Sequence, residues 1–452
     1  MCARVWNAGV GLLATLWVAS VVLSGAYPQA VDSARTNRRI TGIVLARTDL
    51  IAGLDIGTTK TAAVIATVGR DGDMDIVGFG VCPSVGLRKG VVTDLEETVK
   101  SIEGATESAE RMAGAHIESA FVGVTGEHVR SQNSHGIVAV GGDDREVVPG
   151  DVKRVVDASS IINLTADRQI IHTLPREYAV DGQNGITDPV GMSGARLEVD
   201  THIVTAGSSF IANVLKCVHR AGIEPTGVIF EPLASGAAVL LPEERNAGVV
   251  LLDIGGGTTD VAVYWGGGVY HTWTVPVGGN IVTNDVALGL KTSFQEAENI
   301  KHAYGTADMS RDLGEETFEV KALSGRTTRS ASKTFLRQII VARMTEIFKL
   351  VRANLAQNCP PEVMLAELVV TGGGARLEGI DSLASEFFDL PARIGMPMHV
   401  GGLTETIKNP AFATAVGLVL FGASDHAGTQ SKDGERKGVW SRMTSWLSEY
   451  IS

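Results

Sequence analysis

Apolar and polar positions alternate over residues 50–68, 74–81, 119–125, 248–265 and 367–371, in runs bounded by glycine. Alternation of that kind predicts strands that bury a face in a core. Between these runs the period changes. Residues 94–113, DLEETVKSIEGATESAERMA, open on an Asp cap and place apolar side chains three or four apart; residues 332–357 keep the same spacing, so both stretches predict helices. Strands interleaved with helices describe an α/β protein whose sheets are covered by helices. The pattern also repeats: residues 51–66 read IAGLDIGTTKTAAVIA and residues 251–264 read LLDIGGGTTDVAVY. Each copy is an apolar strand, an Asp, a Gly-Thr turn and a second apolar strand, which predicts two related halves.

A chain of 452 residues that is 44% apolar and 20% charged has enough to bury for more than one core. Its net charge of -12 excludes a general nucleic-acid binder, which needs a basic surface against phosphates. Cys2, Cys82, Cys217 and Cys359 lie far apart with no C-x-x-C, which signals neither a zinc site nor a disulfide framework and fits a reducing compartment. Residues 10–27, VGLLATLWVASVVLSGAY, have the length of a spanning helix or a signal-peptide core. Arg35, Arg38 and Arg39 follow that run against Arg4 before it, which favours a cytoplasmic downstream chain. The expectation is an upstream-extended start, with the protein beginning near Val44 or Leu45; a membrane anchor and a cleaved signal are the alternatives.

The repeated turn has a chemical use. A hairpin turn of Gly and Thr exposes backbone N–H groups and hydroxyls, a cradle for phosphate oxygens, and the Asp before it can hold a metal-bound water. The first copy offers Asp55, Gly57, Thr58, Thr59 and Lys60; the second offers Asp253, Gly255, Gly256, Gly257, Thr258 and Thr259. Two such turns face to face would clamp a polyphosphate. A third glycine cluster, LVVTGGGARLEG at 368–379, lets a flat ring or a ribose approach the backbone.

The ordered set formed by the turn at 55–60, EPLASGAA at 231–238, the turn at 253–260, TGGGARLEG at 371–379 and AFATAVGL at 411–418 resembles the actin, Hsp70 and sugar-kinase superfamily. The resemblance implies a two-lobed actin-like ATPase fold of duplicated RNase-H-like domains, with ATP and Mg²⁺ in the cleft. It also makes 231–238 and 411–418 the helices that connect the lobes. Within that superfamily, VGLRKGVVTDLEETVKSI, FVGVTGEHVRSQNSHGIV, the segment 172–206, VGGNIVTNDVALGL and NPAFATAVGLVLFG resemble the FtsA family of bacterial cell-division proteins over most of residues 50–422. That narrower resemblance implies a subdomain 1C at 84–167, with first-lobe parts at 50–83 and 168–205. It implies second-lobe parts at 206–283 and 362–398, a subdomain 2B at 284–361 and a return to the first lobe at 399–424.

Carried over residue by residue, Asp55 and Asp253 would orient water around Mg²⁺. Gly57, Thr58, Thr59 and Lys60 would meet the phosphates from one side, and Gly256, Gly257, Thr258 and Thr259 from the other. Glu298 and Lys301 match the position that contacts ribose and adenine, against the plainer reading of an i, i+3 ion pair. Gly373, Gly374 and Arg376 would line the nucleoside. Glu231 sits where relatives place a carboxylate near the attacking water, so with Asp253 it is the catalytic candidate of what is at most a weak ATPase.

Residues 425–437 read as a polar linker, and after them a helix at 438–452 would gather Val439, Trp440, Met443, Trp446, Leu447 and Tyr450 on one stripe. With Lys432, Arg436, Lys437 and Arg442 nearby, this describes an amphipathic helix lying in the interface of an anionic membrane. The family resemblance implies a scaffold on the cytoplasmic side of the cell membrane at the division site. It would polymerise with itself and hold the C-terminal tail of the tubulin-like FtsZ, with Lys333, Arg337 and Arg343 as candidate contacts for that acidic tail. The alternative is an actin-like, ATP-binding pilus-assembly protein, against which the terminal helix argues.

Overall fold

The computed structural model describes residues 49–430, apart from 70–72, 143, 324, 361–362 and 364. The expected extension at the N-terminus and the membrane helix with its stripe from Val439 to Tyr450 lie outside the described residues.

Two sheets built to one plan carry the fold. In the first, Met74–Pro83, Lys60–Val68, Asp49–Ile56, Ser119–Val124 and Glu224–Phe230 lie in that spatial order, with Gly401–Gly402 added outside Met74–Pro83. In the second the order is Gly268–Val275, Thr259–Trp265, Val249–Ile254, Glu367–Thr371 and Ala392–Ile394. Each is an antiparallel meander of three strands continued by two parallel strands. The duplicated hairpin is therefore the start of a duplicated sheet. Every residue of Val249–Ile254 is buried, as a central strand covered on both faces requires.

Helix Leu95–Ala113 covers the first sheet; Asp94 caps it by accepting from the Glu97 N–H at 3.1 Å, and Gly114 ends it in the left-handed region at φ 64°. Helix Glu231–Val239 leaves the first sheet toward the second, and Ala413–Gln430 packs back on Asp49–Ile56. The two helices cross at Gly417, where a Cβ would overlap the backbone of Ala234. Small residues at both sites are what lets them touch. The second helix continues through 425–430, which the sequence reads as linker.

Between Ser119–Val124 and Glu224–Phe230 the chain builds a separate four-stranded sheet in the order Arg130–Ala139, Arg196–Gly207, Arg168–Val180, Gln183–Ile186. Helix Pro149–Ser159 covers one face through Val155 and Val156, which share a core with Leu197 and Val199. The expected division at 167 differs from this arrangement. Arg168–Val180 pairs with Arg196–Gly207, which pairs with Arg130–Ala139, so all three belong to the inserted sheet, whereas 95–113 and 119–124 belong to the first. The expected boundary at 284 also falls inside a helix, Gly279–Gly289. That helix, Phe294–Tyr304, Lys333–Asn358 and the hairpin of Thr317–Lys321 with Thr328–Ser332 flank the second sheet. No helix among the described residues is long and apolar enough to cross a membrane.

Candidate functional site

Both duplicated hairpins close in the same way. The Gly57 N–H donates to the Lys60 carbonyl at 3.0 Å, and the Gly255 N–H donates to the Thr258 carbonyl at 2.9 Å. Two residues remain at each tip, Thr58 and Thr59 in one turn and Gly256 and Gly257 in the other, and the tips face each other. A Cβ at Gly256 would overlap the Thr59 hydroxyl, and one at Gly257 would lie 2.5 Å from Thr58 Oγ1. Glycine here keeps the gap between the jaws open. The second turn is braced from behind, because the N–H groups of Gly279 and Asn280 donate to the carbonyls of Gly255 and Gly256 at 2.8 Å each. A helix N-terminus spends its unpaired donors on that brace.

A cleft of about 430 Å³ opens over the turns. Asp55, Gly57, Thr58, Thr59, Lys60, Glu231, Asp253, Gly256, Gly257, Thr258, Glu298, Lys301, Gly373, Gly374 and Arg376 all line it. Thr259 does not. Successive residues of a strand point to opposite faces, so Thr258 faces the cleft while Thr259 is buried behind it and donates to the Val277 carbonyl at 2.8 Å. The same alternation returns Asp260 to the cleft side, and sequence reasoning gave it no role. Thr125, Gly279, Asn280 and Thr414 are further lining residues without one.

Four carboxyl groups converge at the floor. Asp55 accepts from Lys60 Nζ at 2.9 Å, and Asp253 accepts from the Thr414 hydroxyl at 3.0 Å. Asp260 accepts from the hydroxyls of Thr125 and, at 2.6 Å, of Thr274. Burial pushes the Asp253 carboxyl up to about 6, with the charge of Asp55 adding to it, and pushes Asp260 up to about 7 against the pull of its hydroxyl donors. Glu231 at the first turn of its helix is pushed far up, by burial first and then by Asp55, Asp260 and Asp253, and its Oε1 is buried with no partner. Lys60 is the lysine beside these groups. One lysine against four carboxyl groups leaves the floor short of positive charge, and a divalent cation accompanying a polyanion would complete it. Among the described residues no three His, Cys, Asp or Glu side chains are arranged to hold a metal ion directly. The donor set fits a cation held through water and phosphate oxygens.

At the other end Lys301 Nζ lies 2.7 Å from Glu298 Oε2 and donates to the Thr283 hydroxyl at 2.7 Å; His302 Nε2 lies 2.9 Å from Glu298 Oε1. The pair is an ion pair and a cleft lining at once. Burial opposes ionisation of Glu298, but the bonds from Lys301 and Thr283 outweigh it and hold the carboxyl below its ordinary value. Met344 and Leu377 give this end an apolar wall. The three glycines divide their work: at Gly372 and Gly374 a Cβ would collide with Ile254 of the second hairpin, whereas at Gly373 it would meet open space.

The candidate peptide contacts lie elsewhere and are already engaged. Lys333 pairs with Glu316 at 2.7 Å, Arg337 donates to the carbonyls of Asp308 and Arg311 at 3.0 and 2.6 Å, and Arg343 pairs with Asp285 and Glu346. They brace the second-lobe insertion and do not form an uncommitted basic face.

Comparison with known proteins places this architecture. Among solved structures, the chain is similar to one described as the PilM-PilN type IV pilus biogenesis complex, with a TM-score of 0.59 at 18% identity over 82% of this chain and 98% of that one. It is also similar to MreB5 of Spiroplasma citri bound to ADP, with a TM-score of 0.52 at 15% identity over 85% and 99%. At such identities these show an actin-like fold. The family model described as "Cell division protein FtsA" matches residues 250–417, and that described as "SHS2 domain inserted in FTSA" matches residues 126–205, the span of the inserted sheet. The cell division protein FtsA of Pseudomonas aeruginosa is 42% identical over 407 residues, which cover 88% of this chain and 97% of that protein. Those of Neisseria meningitidis and Escherichia coli K12 are 39% and 38% identical, each over 88% of this chain and 97% of theirs. With two lobes of one plan, an inserted sheet and relatives of that identity along nearly their whole length, the chain belongs to the FtsA family of bacterial cell division proteins.

Proposed function

We propose that the cleft binds ATP with Mg²⁺ and that the chain is an actin-like scaffold that anchors the FtsZ ring to the cytoplasmic face of the cell membrane. The observation that carries the nucleotide reading is the pair of equivalent turns facing each other over four under-neutralised carboxyl groups. A solved protein of the same fold holds ADP. Gly57, Thr58, Thr59 and Lys60 take the phosphates from the first lobe, and Gly256, Gly257 and Thr258 from the second; Asp55 and Asp253 hold the waters of the cation. Glu298 and Lys301 face the ribose, while Gly373, Gly374 and the apolar wall admit the base, with Arg376 at the rim. Bound Mg²⁺ supplies positive charge that lets the buried acids ionise. Glu231, whose Oε1 is buried without a partner, would orient a water, and hydrolysis, where it occurs, rests on positioning and electrostatics.

The scaffold reading rests on family membership and on the apolar stripe Val439, Trp440, Met443, Trp446, Leu447 and Tyr450. Polymerisation through the actin-like body and capture of the FtsZ tail by the second-lobe insertion complete it. The test compares the full chain with a chain lacking residues 439–452, each mixed with FtsZ and anionic liposomes. The expected outcome is recruitment of FtsZ to liposomes by the full chain alone. Recruitment that survives the deletion would overturn the tether, and failure of both chains to bind FtsZ would overturn the scaffold.

A further inference from the structure

The edge strand of the second sheet, Gly268–Val275, packs on the outer face of the inserted sheet. The pleat is interrupted by a bulge at Tyr270, and beyond it the alternate residues Thr272 and Thr274 point the same way. The Arg176 guanidinium stands 4.3 Å from the centre of the Tyr270 ring. The Ser131 hydroxyl donates to the Thr272 carbonyl at 2.6 Å, and His202 Nε2 lies 2.9 Å from Thr272 Oγ1. Two residues on, Thr274 donates to Asp260 Oδ1 at 2.6 Å, the same oxygen that accepts from Thr125 at the end of a first-sheet strand. His202 is fully buried, and its Nδ1 lies 2.7 Å from Asn133 Oδ1. An amide oxygen only accepts, so Nδ1 carries the proton and Nε2 accepts from the Thr272 hydroxyl. Burial keeps the imidazole neutral, as this bonding requires.

We propose that this seam couples the cleft to the inserted sheet: a ligand bound beside Asp260 tightens the docking of the inserted sheet on the second lobe, and docking tightens the ligand. The inference rests on the nucleotide reading. Asp260 lines the cleft, so a ligand held there against both turns fixes the position of its carboxyl group and of the hydroxyls bonded to it. Its two donors at Oδ1 come from different lobes, so an occupied cleft draws Thr125 and Thr274 onto one oxygen. Thr272, on the same face of the same strand, passes that constraint to Ser131 and His202. By linkage, whatever holds the inserted sheet in place strengthens ligand binding by the same factor.

The probe is ATPγS with Mg²⁺, read by affinity and by amide hydrogen exchange in residues 130–139 and 196–207 of the full chain. In the parent, ligand slows exchange in both segments. In Thr272→Val, affinity falls about tenfold, within the usual range of a coupling energy, and the slowing in those segments is lost while protection of the two turns persists. Thr272→Ser restores both readouts. Should Thr272→Val not fold, the smaller change Ser131→Ala is expected to weaken both in the same direction. Affinity within twofold of the parent, or slowing that survives the change, would overturn the coupling and leave the seam as mere cover for a sheet edge. A parent that binds no ATPγS would overturn the nucleotide reading and the coupling together.

Discussion

Thr258, Thr259 and Asp260 show how far a strand's side chains can be read one at a time. The glycine and threonine content of the turn is legible because phosphate cradles need those residue types, and of the candidate nucleotide residues found by it and by the family match all but Thr259 line the cleft. Which of two adjacent threonines faces the cleft is decided by the pleat, and only the register Asp253 opposite Asp260 fixes it. Asp260 was missed as a functional residue because a carboxylate at a strand position signals nothing until its neighbours are known. Its chemistry is testable by acid. In the folded, ligand-free chain the carboxyls of Asp253 and Asp260 are raised to about 6 and about 7, whereas the unfolded chain ionises them near the ordinary carboxylate value. Between those limits the folded state keeps protons that the unfolded state has lost. The associated stability is present at low pH and disappears as pH rises through about 7. Thermal melts of the ligand-free chain are expected to fall in midpoint from pH 5 to pH 8, and Asp260→Asn, with no proton to lose, to flatten that slope. A slope unchanged by the substitution would remove Asp260 as its source.

Elements were more legible than their assembly. The strand at Glu367–Thr371 and the helices Leu95–Ala113 and Lys333–Asn358 follow the periodicity within a residue or two. Membership of a sheet is different, since Arg168–Val180 has no local feature that says whether it pairs with the first sheet or the inserted one. That is settled by non-local hydrogen bonds to Arg196–Gly207. The helices Glu231–Val239 and Ala413–Gln430 were legible as lobe connections through the superfamily resemblance, and their crossing yields the sharpest stability prediction. Gly417→Ala places a methyl against the Ala234 carbonyl, which belongs to backbone and cannot swing away. Overpacking of this kind costs about 1–3 kcal/mol, and denaturant unfolding is expected to report the upper part of that range. A loss below about 0.5 kcal/mol, the usual scale of a surface substitution, would mean that the helices separate freely.

On the scale of the whole molecule, ligand and fold stabilise each other. MgATP at a hundred times its dissociation constant should add about 2.7 kcal/mol to the stability of the folded chain. Removing Mg²⁺ with EDTA while leaving ATP should forfeit most of that gain, because polyphosphate and the acids Asp55, Glu231, Asp253 and Asp260 then face each other without a cation. Differential scanning fluorimetry checks both, and an equal gain with and without Mg²⁺ would separate the cation from the site.

Duplication has one more consequence, and it concerns direction. If the two sheets were true copies, a nucleotide could enter head-first or tail-first with equal ease. The copies are broken where it counts: Lys60 occupies the place that Thr258 holds in the other hairpin, and Ala62 stands opposite Asp55 where Asp260 stands opposite Asp253. One jaw balances its Asp with a lysine and the other sets a second Asp beside the first, so an internal repeat that began symmetric now has a polarity, and a ligand with two different ends has one way to lie in it.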